Sequence, residues 1–501
     1  MIYTDKIRYF VIAQPDHTML FNSIEYLVFL PAVVAIYFII PVKWRWLFLL
    51  FASYFFYMCN RIEYGILILF TTMVDYFVAL QIERSSSHRK KKAYLVISLV
   101  ANLGMLAGFK YLNFFSESIG LLLHSFNIQG NLPVFSILLP VGISFFIFKS
   151  LSYTIDVYRG IRAPEKHFGH YALYVSFFPQ LIAGPIDRSS GLLPQLHHPR
   201  EFSASVLISG LKLMLWGFFK KVIIADRLGL YVDEIYAHPE TYTGLSVILA
   251  TVLFAFQLYG DFSGYTDIAR GSARILGYDL MINFKRPMVA KSLRDFWNRW
   301  HISLTTWFRD YVLYSLPYIK NKKVSFTWLY ANLIITYLLM GLWHGASWNF
   351  VIFGFLNGVF LIAETISEKP RRRFLDVTGI SPSRFLKNLT GNIITLSLII
   401  FTLIFFRADN LKESRLIISN SFNFSNLHLS VFQILRDNEL LFGILALVVM
   451  LVAEHLHEKH DLVRIIASRH IIIRWSIYAG FIFFILIFWA QQKQEFIYFQ
   501  F

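Results

Sequence analysis

A chain of 501 residues that is 56% apolar and only 16% charged, with mean hydropathy +0.53, is too apolar for a water-soluble domain, which is typically about 45–50% apolar and about 25% charged. The 47 basic and 31 acidic residues give a net charge of +16, yet no nucleic-acid partner is expected, because the basic residues collect in short loops beside apolar runs, the pattern that orients a membrane protein. The single cysteine, Cys59, excludes an intramolecular disulfide and a Cys-rich zinc site, and neither a metal nor a bound cofactor is expected.

Residues 1–18, with Asp5, Lys6, Arg8, Pro15 and Asp16, lack the basic-then-apolar build of a signal peptide. Met19 reads as the natural start, which makes 1–18 an extension and 19–501 a single membrane domain. Uncharged runs then recur at 26–42, 46–60, 93–109, 118–148, 241–260, 324–363, 388–406, 440–453 and 475–492. Several reach the ~17–25 residues a helix needs to cross a bilayer. Outer-membrane strands would alternate apolar and polar residues, and Phe481-Ile482-Phe483-Phe484-Ile485-Leu486-Ile487-Phe488 does not. The expected fold is therefore all-α, a polytopic bundle of eleven to thirteen membrane helices.

Spans are expected at 25–41, 45–59 and 63–82, and again at 324–342, 346–366, 389–407, 440–456 and 475–490. That arrangement puts Lys43, Arg45, the Arg84–Lys92 cluster, Lys320–Lys323, Arg371–Arg373 and Lys459–Arg474 on the cytoplasmic side, with 408–438 outside. Between 93 and 319 Gly, Pro and isolated charges break the runs. Segments such as 168–186 are expected to lie in the interface or re-enter the membrane.

A polar group inside the apolar phase is costly and marks function by default. His344 is the one group titrating near neutrality in the forty residues Val324–Ala363, within Met340-Gly341-Leu342-Trp343-His344-Gly345-Ala346-Ser347-Trp348-Asn349. A neutral imidazole can take a proton from a hydroxyl and return it, and the flanking glycines would allow close approach. The block Arg294–Tyr311, read as a helix, lines Arg294, Asn298, His301 and Thr305 along one side and Trp297, Trp300, Leu304 and Trp307 along another. An aromatic-anchored interfacial helix would show the same pattern. His455, His457 and His460 lack the spacing of a helical zinc pair and read as a solvated loop. Asp261 and Asp267 read as structural charges paired with arginines, with orientation of a catalytic histidine as the alternative. No phosphate-binding loop, Gly-x-Ser-x-Gly elbow or dinucleotide fingerprint occurs.

The Arg294–Tyr311 and Leu342–Gly345 blocks, Val141–Phe146 through Ile155–Gly160, and Phe178-Pro179-Gln180-Leu181-Ile182-Ala183-Gly184-Pro185-Ile186 resemble the membrane-bound O-acyltransferase family, and within it the bacterial alginate O-acetylation branch. The likeness extends to the tail Glu495–Phe501. It implies a helical bundle around a tunnel in the bacterial inner membrane. Acetyl-CoA would be the cytosolic donor substrate, an exopolysaccharide hydroxyl the acceptor, and a periplasmic hydrolase-like protein the partner. It places the family's membrane histidine at His344 and its second signature position, 43 residues upstream, at His301. With it come Trp343, Trp297, Asn298 and Arg294 as candidate substrate contacts. D-alanyl transfer to a cell-envelope polymer is the alternative within the superfamily. A glycan or lipid transporter would show broken helices paired between two halves, and no such pairing occurs.

Overall fold

The computed structural model describes residues 19–59, 61–128, 133, 135, 139–198, 200–317, 325–378, 383–425, 437–489 and 496–499. The expectations for 1–18 and Lys320–Lys323, and part of that for 408–438, fall outside them. Every regular element among the described residues is helical. Among the described residues, eight helices are long and apolar enough to cross a membrane.

The chain's contacts cluster into two compact units. The first runs to Leu211 and includes Ala269–Met281. It opens with α1 (Ile24–Ile39), α2 (Val42–Met58) and α3 (Glu63–Arg84), where expected. The Ser23 hydroxyl caps α1 by accepting from the Tyr26 N–H at 3.2 Å. At 16 and 17 residues, α1 and α2 are about 24–26 Å long at 1.5 Å per residue, near the lower limit for a span. α4 (His88–Leu106) continues through a π turn at Ala107–Tyr111 into α5 (Leu112–Ser125). α6 (Ile143–Tyr158) packs with α3 and α4. A buried carboxylate sits among these three helices: Asp75 accepts from the Ser98 hydroxyl, from the Asn102 amide at 2.9 Å and from the Thr154 hydroxyl at 3.2 Å. Such pairing is the condition for burying so polar a group.

The segment 168–186, expected to lie in the interface or to re-enter the membrane, forms two short helices, α7 (Phe168–Ser176) and α8 (Phe178–Leu181), and α9 (Ser189–His197) follows. Tyr171 to Leu181 are buried without a break. An interfacial helix would keep one face in contact with headgroups, so this stretch is an interior one, the setting in which irregular backbone is tolerated at membrane depth. The unit is closed by hydrogen bonds from Tyr26 to Ser272 at 2.7 Å and between the Tyr37 and Tyr278 hydroxyls at 2.9 Å.

The second unit comprises Lys212–Ile268 and Ile282–Phe501. α10 (Ala204–Phe218) and α12 (Leu245–Ile275) each contribute to it, with α11 (Asp226–Ala237) between them. α13 (Leu293–Trp297) and α14 (Ile302–Trp307) are short. The remaining helices are α15 (Phe326–His344), α16 (Trp348–Thr378), α17 (Arg384–Arg407), α18 (Leu411–Ser421), α19 (Asn438–Lys459), α20 (Leu462–Ala467) and α21 (Ile471–Trp489). α15 and α16 form a tight hairpin. A Cβ on Gly341 would collide with the Phe350 carbonyl, and one on Gly354 with the Tyr337 carbonyl, so glycine is what lets these backbones approach.

Candidate functional site

The block Arg294–Tyr311 is not one helix. It comprises α13, a break at Asn298–His301, α14, and a π turn at Phe308–Val312. The break turns on His301 itself, whose φ of 42° lies in the left-handed region, unfavourable for a residue with a Cβ. Asn283 supports that turn from a distance. Its Oδ1 accepts from the Ser303 N–H at 3.1 Å and the Ser303 hydroxyl at 2.9 Å, and lies 3.2 Å from His301 Nδ1. The Asn283 oxygen therefore takes the Nδ1 proton, leaving Nε2 as the basic nitrogen of His301. Burial holds this imidazole down to about 3, against a minor upward pull from a backbone hydrogen bond, so it is neutral at physiological pH.

The break also redistributes the residues that a continuous helix would have aligned. Arg294 and Asn298 are exposed, and the Arg294 N–H is turned towards Glu364 Oε1 at 3.4 Å. Neither is brought to the buried histidines. Trp297 and Trp300 do point inward, at 5% and 6% exposure.

His344 ends α15 and is 4% exposed. The flanking glycines serve packing: Gly341 admits α16, and a Cβ on Gly345 would strike the Phe350 ring. Aromatic rings enclose the imidazole, with centroids at 5.0 Å for Trp343, 5.2 Å for Phe406, 5.6 Å for Tyr498 and 5.8 Å for Phe353. Trp343 and Tyr498 also contact His301, at 5.8 and 6.3 Å, and Phe262 meets it edge-on at 4.6 Å. The two histidines thus share a pair of aromatic neighbours although 43 residues separate them.

His344, Tyr498, Trp297, Trp300, Phe296, Phe353 and Phe406 line part of a small apolar cavity, completed by Met288 and by apolar residues of α12 and α17. His344 and Tyr498 are its titratable groups. A largely apolar cavity with a few convergent polar groups is the usual form of a small-molecule site.

Sequence analysis assigned no role to Tyr498. The Ile497 N–H donates to Asp261 Oδ2 at 2.8 Å, while the Lys221 ammonium bridges Asp261 at 2.6 Å and Asp226 at 2.9 Å, all within the buried interior. Phe496 stacks on Tyr265 at 4.3 Å. Asp261 therefore holds the tail segment that presents Tyr498 to the histidines, and Asp267 pairs with Lys220 at 2.6 Å. Both aspartates pair with lysines rather than with the arginines expected. The aromatic alternation of Phe496-Ile497-Tyr498-Phe499 was the available signal, but it names no partner. His455, His457 and His460 are exposed at the end of α19.

Comparison with known proteins places this arrangement. Residues 164–407, which carry both histidines, match the MBOAT, membrane-bound O-acyltransferase family. The chain is 37% identical over 417 residues to the probable alginate O-acetylase AlgI of Azotobacter vinelandii, covering 82% of this chain and 80% of that one. It is 32% identical over 394 residues to the peptidoglycan O-acetyltransferase of Helicobacter pylori, covering 74% and 72%. A teichoic acid D-alanyltransferase of Bacillus subtilis is 28% identical over 255 residues, 49% of this chain and 64% of that one. With matched residues that span both buried histidines and a relative aligned over four-fifths of each chain, this protein belongs to the membrane-bound O-acyltransferase family, close to its bacterial alginate O-acetylase branch.

Proposed function

We propose that this chain is an O-acetyltransferase of a bacterial cytoplasmic membrane, taking acetyl from cytosolic acetyl-CoA and delivering it to a hydroxyl on the outer side. The observation that carries the reading is the pairing of His344 and His301 through Trp343 and Tyr498, with His344 on the wall of an apolar cavity. The thioester is already activated, so the protein must supply a base for the incoming hydroxyl, orientation, and stabilisation of the oxyanion. His344 takes the hydroxyl proton as the oxygen attacks the thioester carbonyl. The C–S bond then breaks, and the same proton passes to the departing thiolate. Transfer through an acetyl-imidazole on His344 is the two-step form of this chemistry. His301, with Nδ1–H committed to Asn283, presents Nε2 to orient donor or acceptor. Trp343 and Trp297 shape the walls, while Arg294 and Asn298, exposed on the far side of the break, are better placed to meet the donor's anionic portion than the reacting carbon.

Relatives named for alginate and peptidoglycan O-acetylation support acetyl as the group carried and a cell-envelope polymer as its destination. The expected outward loop 408–438 has 31 residues, fewer than the ~40 below which a domain rarely folds unaided, so a separate extracytoplasmic protein places the acetyl group on the polymer. The test uses sealed vesicles with acetyl-CoA on the cytoplasmic face. The chain alone should release CoA slowly and leave polymer unmodified until the partner is added. Efficient polymer acetylation without a partner would overturn the two-component arrangement, and D-alanyl rather than acetyl transfer would overturn the donor.

A further inference from the structure

In the first unit, three imidazoles and a carboxylate meet at the entrance to α7. Glu165 lies in the turn before that helix. His167 caps the helix, its Nδ1 accepting from the His170 N–H at 3.1 Å, and His170 stands one turn further on. His197 ends α9, returning to the cluster after 27 residues. His197 Nε2 lies 2.6 Å from Glu165 Oε2, and His197 Nδ1 lies 3.0 Å from His170 Nδ1. One ligand atom from each of Glu165, His170 and His197 can be chosen so that all lie within 4.8 Å of one another.

We propose that Glu165, His170 and His197 form a binding site for a divalent transition-metal cation of the zinc type, which ties together the two ends of the 165–197 segment. Imidazole nitrogen with a carboxylate oxygen is a donor set suited to such ions and ill suited to calcium or magnesium. Ligands about 2.0–2.2 Å from zinc in tetrahedral geometry stand roughly 3.3 Å apart. The two short contacts involve opposite nitrogens of His197, Nε2 with Glu165 and Nδ1 with His170, so an ion held through Nε2 widens the 2.6 Å Glu165 contact by about 0.7 Å and draws the His170 nitrogen in from within 4.8 Å.

The surroundings hold these groups in place. The Glu165 N–H donates to the Tyr153 hydroxyl at 2.9 Å, and Glu165 Oε1 accepts from the His167 N–H at 2.9 Å. Trp46 walls the cluster, edge-on to His167 at 4.8 Å and to His170 at 5.5 Å. Burial, with His197 and His167 adding to it, holds His170 down to about 4, so its ring is a neutral ligand at physiological pH. Burial pushes the Glu165 carboxyl up, but the His167 N–H and the His197 contact outweigh it and keep the group below the usual range, hence ionised.

The test is metal stoichiometry of the full chain in detergent, purified without a histidine tag, stripped with chelator and then titrated with zinc. One equivalent per chain should bind, and its binding should raise the thermal unfolding temperature. H170Q/H197Q should lose that equivalent and the thermal shift, E165Q should weaken binding by more than about tenfold, and H457Q should leave the equivalent in place. If the double variant misfolds, the stripped and reloaded wild type decides through its own unfolding temperature. Equal stoichiometry in wild type and H170Q/H197Q, or no thermal response of wild type to zinc, would overturn the site.

Discussion

Gly341→Ala adds one methyl group at the closest approach of α15 and α16. Its Cβ would lie 3.0 Å from Gly354 Cα and N and closer still to the Phe350 carbonyl, where ordinary contact begins at 3.4 Å. Relieving this requires the helices to part by on the order of 1 Å, and such overpacking typically costs about 1–3 kcal/mol. His344 follows Gly341 by three residues on the same helix, so the displacement carries its imidazole relative to Phe353 on α16 and Phe406 on α17. A shift of that size at a reacting group lowers rate by about a hundredfold. Gly480 on α21 is the internal control: a Cβ there meets nothing within 4 Å, and Gly→Ala in an open helix is favourable by roughly 0.5–1 kcal/mol. The assay is thermal unfolding in detergent together with acetyl-CoA turnover for both variants. Equal unfolding temperatures and rates for G341A and G480A would refute the packing argument and its link to His344.

Three further outcomes follow from the geometry. D261N keeps an acceptor for the Ile497 N–H but leaves Lys221 with Asp226 alone; disrupting a buried pair costs on the order of 3 kcal/mol, so unfolding should come earlier and protease should trim the tail faster, and an unchanged tail would contradict the clamp. H301A keeps the Cβ and with it the strain of φ 42°, so its folding is checked by thermal unfolding, and it should turn over slowly, losing less than H344A; full activity would remove His301 from the site. Cysteines placed in 84–92 of a Cys59→Ser background should resist impermeant label in intact cells, because basic loops stay cytoplasmic, and strong labelling would invert the topology.

Much of the architecture was readable because a membrane helix must announce itself by composition. Expected spans at 63–82, 389–407 and 475–490 appear as Glu63–Arg84, Arg384–Arg407 and Ile471–Trp489. The expected eleven to thirteen crossings compare with eight helices of sufficient length and hydropathy among the described residues, since α1, α2, α6 and α10 are shorter. The Arg294–Tyr311 block was harder. Its tryptophans recur at helical spacing, and only a hydrogen-bond acceptor 18 residues upstream, Asn283, sustains the left-handed turn at His301 that breaks it. Local periodicity carries no information about such a partner. His344 was legible because its run is otherwise uncharged, whereas Tyr498 was not, since its place depends on Asp261, Lys221 and Asp226, all more than two hundred residues away in sequence.

The central claim is that His344 is the base for acyl transfer, and its most direct measurement is acetyl-CoA turnover by purified His344→Ala beside wild type, at matched helicity and unfolding temperature. Removing a general base lowers rate by about 100- to 10,000-fold, so the variant should stay folded and lose transfer by at least two orders of magnitude. A folded His344→Ala protein that turns over at the wild-type rate would contradict the account.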